Sequence, residues 1–259
     1  MQKLLSRVQA ANSLLCVGLD PTGDDASAAR RLRAVVAETS PYAAAFKPNL
    51  AFFLSRENGV ALLRETVRSV PAGIPVILDG KFGDIAHTAE HYARFAYDVV
   101  GADGVTVNPY MGDDAIRPFA RPGKLVFSLA KTSNQPRHGL QDAALTRGGT
   151  LSDGAARLAR LLDEELPDSI IGLVVGATEP AALARVRAAC PAQWFLVPGI
   201  GAQGGDLAAT LRAGLRADGS GVLINASRSL WQAADAGAAA RALTEQINQF
   251  RALTHPAHA

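Results

Sequence analysis

Residues 75–107, PVILDGKFGDIAHTAEHYARFAYDVVGADGVTV, read as a strand, a turn, a helix and a second strand. Pro75–Asp79 (PVILD) and Gly104–Val107 (GVTV) are short and almost wholly apolar. Runs of this kind are buried on both faces, as in a parallel sheet covered by helices. Between them, Ala86–Val100 carries apolar residues at helical spacing. The same unit repeats outward in both directions. The further strand candidates are Leu14–Leu19, Ala44–Lys47, Leu125–Leu129, Ile170–Val175, Trp194–Val197 and Gly221–Ile224. The further helix candidates are Ser27–Thr39, Arg56–Val70, Asp153–Leu166, Glu179–Ala189 and Asp206–Leu215, with Asp and Ser recurring at the starts, where a side-chain oxygen caps free N–H groups. Eight strands with intervening helices fit a closed barrel or an open doubly wound sheet. The count of eight favours an α/β fold of the (β/α)8 TIM barrel type, with residues 1–259 as one domain.

Composition narrows the partners. The chain holds 26 basic and 24 acidic side chains, a net charge of +2, which gives no electrostatic footprint for nucleic acid or an anionic membrane. Neither a secretory signal nor an apolar run of membrane-spanning length is evident, so a cytoplasmic protein is expected. Cys16 and Cys190 lie in or beside apolar runs and read as buried free thiols. His87 and His91 stand four residues apart, but no H-E-x-x-H pattern surrounds them, and no metal is expected. The connection Lys131–Asp153 is long, polar and rich in turn formers, which suggests a binding loop.

In a barrel, chemistry sits at the C-terminal ends of the strands. There the sequence places Asp20, Lys47, Asp79, Lys81, Asp84, Asn108, Ser133, Gly176, Gly199–Gly201 and Arg228. Charges beside a low-dielectric core are costly unless paired, so these groups need one another. Asp79 and Lys81 are i and i+2, which in an extended strand share a face. Lys47 can reach the same place from the neighbouring strand, and Asp84 follows at the turn into the next helix. The expected result is an alternating Lys–Asp–Lys–Asp array around a cationic Lys81, a good proton donor to a developing carbanion. A structural ion-pair network, with Asp84 capping the helix, would use the same D-x-K-x-x-D pattern.

A phosphate site is expected from Pro198–Asp206 (PGIGAQGGD) and Asn225–Arg228 (NASR), after strands seven and eight. Glycines such as Gly201 let backbone N–H groups approach an anion, a helix N-terminus follows, and Arg228 can grip the phosphate. Asp20 could bind a ribose hydroxyl or cap a turn. Ser133 and Asn134 could read the amide edge of a base.

The stretches CVGLDP, FKPNLAFF, LDGKFGDIAHTAEHYA, VTVNPYMGDDAI, LAKTSN, VVGAT, LVPGIGAQGGD and NASRSL occur in order from about Leu14 to Leu230. Together they resemble the orotidine 5′-phosphate decarboxylase family, in its longer bacterial (type 2) branch. The resemblance implies decarboxylation of orotidine 5′-monophosphate to UMP without a cofactor. It casts Lys81 as proton donor to C6, with Lys47, Asp79 and Asp84 completing a charged tetrad. It implies Asp20 on ribose, Ser133 on the pyrimidine, and Gln203 and Arg228 on the 5′-phosphate. It also implies a homodimer in which Asp84 and Thr88 reach the neighbouring subunit's site. Two other readings stay open: a Mg-dependent phosphosugar decarboxylase or epimerase holding its metal through Asp79, and a catalytically silent nucleotide-binding barrel. Chelator sensitivity marks the first, and tight UMP binding without turnover marks the second.

Overall fold

The computed structural model describes residues 2–134, 139–146, 148–200 and 204–254. Eight strands form one parallel sheet: β1 (Leu15–Leu19), β2 (Ala45–Pro48), β3 (Ile77–Phe82), β4 (Gly104–Val107), β5 (Leu125–Lys131), β6 (Ile170–Val175), β7 (Phe195–Val197) and β8 (Val222–Ala226). Their order is β2-β1-β8-β7-β6-β5-β4-β3. The two ends meet through parallel bridges Phe46–Val76 and Asn49–Asp79, so the sheet closes into the expected barrel. β1, β2, β4, β6, β7 and β8 are buried along their whole length, as their largely apolar character requires, and the polar Lys47, Thr106 and Asn225 are buried with them.

The helices are α1 (Gln2–Ala11), α2 (Asp25–Thr39), α3 (Leu50–Leu54), α4 (Gly59–Ser69), α5 (Ala86–Arg94), α6 (Leu151–Glu165), α7 (Pro180–Ala189), α8 (Leu207–Gly214), α9 (Arg228–Trp231) and α10 (Ala236–Thr254). Several local devices follow from the sequence. Asp24 caps α2 by accepting from Ser27 N at 2.9 Å, and Asp206 caps α8 by accepting from Ala209 N at 3.0 Å. Thr150 and Asp153 form a reciprocal capping box at the start of α6. The stretch expected as one helix over Arg56–Val70 is instead α4 alone, preceded by the separate α3. A Cβ at Gly59 would lie 1.7 Å from the Phe53 carbonyl oxygen, so the chain folds back tightly between them. The helix expected over Ala86–Val100 ends as α5 at Arg94 and continues as a π-helical turn over Phe95–Val99.

Helices α1 and α10 were absent from the expected set. α1 crosses the N-terminal end of the barrel. Its Leu4 is fully buried, Lys3 Nζ pairs with Asp103 ahead of β4 at 2.7 Å, and Arg7 Nε donates to the Ala43 carbonyl ahead of β2 at 2.8 Å. α10 packs on α2, α8 and α9.

At the same end, Arg187 of α7 ties the entries to β7 and β8. Its guanidinium donates to the carbonyls of Gly214 (2.8 Å), Cys190 (3.0 Å), Gln193 (2.8 Å) and Gly221 (3.0 Å), and lies 3.6 Å from the Phe195 ring centroid. Removing it strands several carbonyls and a cation–π contact. Arg187→Met is therefore expected to cost about 2–4 kcal/mol of stability, read as a lowered urea midpoint with activity retained in the folded fraction.

Candidate active site

At the other end of the barrel the strands open onto a cavity of about 500 Å³, within the usual size of a small-molecule site. Its floor is ionic. Lys47 Nζ lies 2.7 Å from Asp79 Oδ2, and Lys81 Nζ lies 2.7 Å from Asp79 Oδ1. The side chains of Lys47 and Asp79 are 6% and 9% exposed, whereas that of Lys81 is 48% exposed. Lys47 is thus the buried anchor and Lys81 the cation presented to the cavity. Burial pushes the Asp79 carboxyl upward, but the two ammonium groups outweigh it and hold it well below the usual carboxylate range. Burial likewise opposes the charge on Lys47, and Asp79 and Asp20 outweigh it, so its pKa is raised. Cys16, beneath the cluster, is pushed up to about 12 by burial and stays a thiol.

The pairing of Asp79 with Lys81 was expected from a regular strand, but it forms differently. β3 continues past Asp79 to Phe82, and its register with β4 slips. β3 runs from Leu78 to Phe82 while β4 runs only from Val105 to Val107. This is a bulge beside a site, where bulges serve to re-aim side chains. Lys81 sits in it at φ +46°, a left-handed conformation that favours glycine. The Thr106 hydroxyl on β4 fills the gap. It accepts from Lys81 N at 2.9 Å and donates to Asp79 Oδ1 at 2.8 Å.

Two glycines permit the rim. A Cβ at Gly18 would lie 2.5 Å from Ser227 Cβ, and one at Gly176 would lie 2.6 Å from Ser133 Cα. Without side chains there, the end of β8 closes on β1 and the segment after β5 closes on β6. Asp20 then meets Ser227, whose hydroxyl donates to Asp20 Oδ2. The other Asp20 oxygen and Asn225 Oδ1 are buried acceptors with no partner, and both residues line the cavity. Buried acceptors of this kind call for a donor from a ligand or water. Ser133, Asn134, Gly199 and Arg228 also line the cavity.

Lys131 ties the long connection to the barrel beside the cavity. Counted by sequence as the start of the long connection, it is the last residue of β5. It is buried, with Nζ 2.6 Å from Asp142 and 3.3 Å from Glu179. These contacts hold the described part of the connection against β5. Gln141 Oε1 accepts from Thr132 N at 2.9 Å and its amide donates to Thr132 Oγ1 at 2.8 Å, so Gln141 too faces the cavity.

Not every expected residue converges. Asp84 and Thr88 are half-buried and do not line this chain's cavity. Asp84 Oδ1 accepts from Ile85 N at 2.8 Å, and the helix cap position is Ile85, with no side-chain cap. Asn108 accepts from Tyr110 N at 3.1 Å and borders a neighbouring cavity instead. Gly201 and Gln203 lie outside the described residues, as do Gln135–His138 of the long loop. Among the described residues no group of three or more His, Cys, Asp or Glu side chains is placed to ligate a metal. Asn225, expected at the phosphate site, lines the cavity, and so do Asn49, Thr106, Thr132 and Gln141, to which the sequence assigns no role. Each is a lone polar residue in or next to an apolar strand, or on the long loop, and that was the available signal.

Residues 13–243 match the model of the orotidine 5′-phosphate decarboxylase / HUMPS family. The chain belongs to that family. Among the family's members, the orotidine 5′-phosphate decarboxylase of Ralstonia pickettii is 42% identical, over 96% of this chain and 98% of its own length. The structure of Leishmania donovani OMP decarboxylase superposes with a TM-score of 0.88 at 49% identity, covering 96% of this chain and 97% of that one. Leishmania donovani UMP synthase superposes with a TM-score of 0.91 at 51% identity, but this chain spans only 56% of that one. The family's barrel therefore coincides with nearly all of this chain, and the ionic cavity lies at the barrel's C-terminal mouth. No helix among the described residues is long and apolar enough to cross a membrane.

Proposed function

We propose that the protein decarboxylates orotidine 5′-monophosphate to UMP and CO2, with no cofactor. The observation that carries this reading is the Lys47–Asp79–Lys81 cluster, one buried carboxylate between two ammonium groups at the floor of a nucleotide-sized cavity, in a chain of this family. The bond from C6 of the pyrimidine to the carboxylate breaks, CO2 leaves, and the electron pair remains on C6. Lys81 stabilises that pair as an ammonium and then gives it a proton. Asp79 faces the substrate carboxylate, and Lys47 keeps Asp79 ionised. The unpartnered Asp20 oxygen accepts from a ribose hydroxyl, Ser133 contacts the pyrimidine, and Gly201, Gln203 and Arg228 bind the 5′-phosphate. Asn108 holds its own turn through Oδ1 and borders a neighbouring cavity.

Asp84 and Thr88 stand outside the chain's own cavity. This supports placing them in the site of a second copy, in a homodimer that completes the tetrad. The eight strands share one sheet, which supports one barrel domain. The near-neutral charge supports a small-molecule substrate rather than nucleic acid, and the nucleotide-forming reaction supports a cytoplasmic location.

The phosphate lies far from the reacting carbon, yet its binding energy can be used in the transition state. Arg228→Ala is expected to lower kcat/KM by roughly 2–5 kcal/mol in transition-state terms. Steady-state kinetics with orotidine 5′-monophosphate reads this directly, and a loss below about tenfold removes Arg228 from the phosphate site.

A further inference from the structure

We propose that the Thr106 hydroxyl is a positioning group for the reaction: it holds Lys81 in its left-handed backbone conformation and so aims the Lys81 ammonium. The inference rests on the decarboxylase reading for its kinetic consequence and on geometry alone for its structural one. Among the described residues, only Asn12 and Lys81 are non-glycine residues with positive φ. Such a conformation is unfavourable for a side-chain-bearing residue and persists only where its surroundings fix it.

The surroundings at Lys81 are specific. The bulge takes the Lys81 N–H out of register with β4. A backbone donor left unpaired there would be costly. The Thr106 hydroxyl supplies the missing acceptor at 2.9 Å. Its own proton goes to Asp79 Oδ1 at 2.8 Å, the same oxygen that Lys81 Nζ approaches at 2.7 Å. One oxygen atom therefore fixes both the backbone from which Lys81 springs and the carboxylate on which it rests. Thr106 is 1% exposed, so water does not readily take over this double role. Its neighbours in β4, Val105 and Val107, are apolar, which leaves the hydroxyl as the polar group directed to this spot. Misplacement of a reacting group by about 1 Å can slow a reaction about 100-fold.

The test compares Thr106→Val and Thr106→Ala, which remove the hydroxyl, with Thr106→Ser, which keeps it. Crystal structures of the first two should show Lys81 at negative φ or its Nζ out of hydrogen-bond reach of Asp79. With orotidine 5′-monophosphate, kcat should fall by about 10–100-fold while KM changes by less than about threefold. Thr106→Ser should keep kcat within about fivefold of the wild type. Should the valine variant not fold, the alanine variant carries the same comparison. Unchanged Lys81 geometry in the variants that lack the hydroxyl overturns the inference, as does a serine variant as slow as valine, because packing of the methyl group would then be responsible. If the wild type itself does not turn over this substrate, the decarboxylase reading fails, and the Lys81 geometry in the variant crystals still decides the role of Thr106.

Discussion

Replacing Lys81 by alanine is expected to lower kcat by at least about 10,000-fold with the barrel intact. A positioned general acid contributes about 100–10,000-fold, and one preorganised electrostatic donor about 100–1,000-fold. Lys81 is assigned both tasks, so a single truncation removes both. Folding should survive. The Lys81 side chain is 48% exposed, and Asp79 keeps Lys47 at 2.7 Å and the Thr106 hydroxyl at 2.8 Å. The variant should therefore melt near the wild type and still bind UMP. Single-turnover kinetics on material that passes both checks gives the answer. A kcat within about tenfold of the wild type would assign the proton transfer elsewhere.

Asp79→Asn should act on stability as much as on rate, because it leaves the buried Lys47 ammonium without its counter-charge. Breaking a buried pair from one side costs about 3–5 kcal/mol, which in a chain of this size is a fall in Tm on the order of 10 °C. The pH dependence follows from the direction of the Asp79 shift. Burial raises its pKa, Lys47 and Lys81 together outweigh that and lower it, and the folded value ends well below the ordinary 3.8. A carboxyl depressed in the folded state contributes stability that is present above its unfolded value and lost as pH falls through the folded one. The stability gap between wild type and Asp79→Asn should thus be constant from about pH 5 to 7 and shrink below about pH 4. Urea titrations at several pH values measure it. A gap that widens on acidification would contradict the ionised, paired Asp79.

The barrel was legible because its strands are buried on both faces. LLCVGL, GVTV and IIGLVV admit few other structures, and β4 and β6 match their expected bounds. α10 was harder to see: AGAAARALTEQINQF is so rich in alanine that its buried face, including Ala236, Ala240 and Ile247, contrasts weakly with the rest. The meeting of Lys47, Asp79 and Lys81 was legible as a requirement of charge at strand ends. Its geometry was not, since the bulge after Leu78 and the positive φ of Lys81 depend on how β3 and β4 register. Thr106 was hidden for the same reason. A threonine inside an apolar strand is ordinary β-former chemistry, and only the slipped register turns its hydroxyl into a partner for two neighbours. Asn108, also at a strand end, uses its Oδ1 to accept from Tyr110 N at the start of the Pro109–Met111 turn, a local role that its position in the sequence does not distinguish from a ligand contact.

The central claim is the chemistry of the cavity, and the most direct measurement is the loss of orotidine 5′-monophosphate absorbance with purified protein in excess EDTA. Rapid loss, with UMP and CO2 formed in equal amounts and no loss in the Lys81→Ala control, is the predicted result. No loss with correctly folded protein, or loss only when Mg2+ is restored, would contradict it.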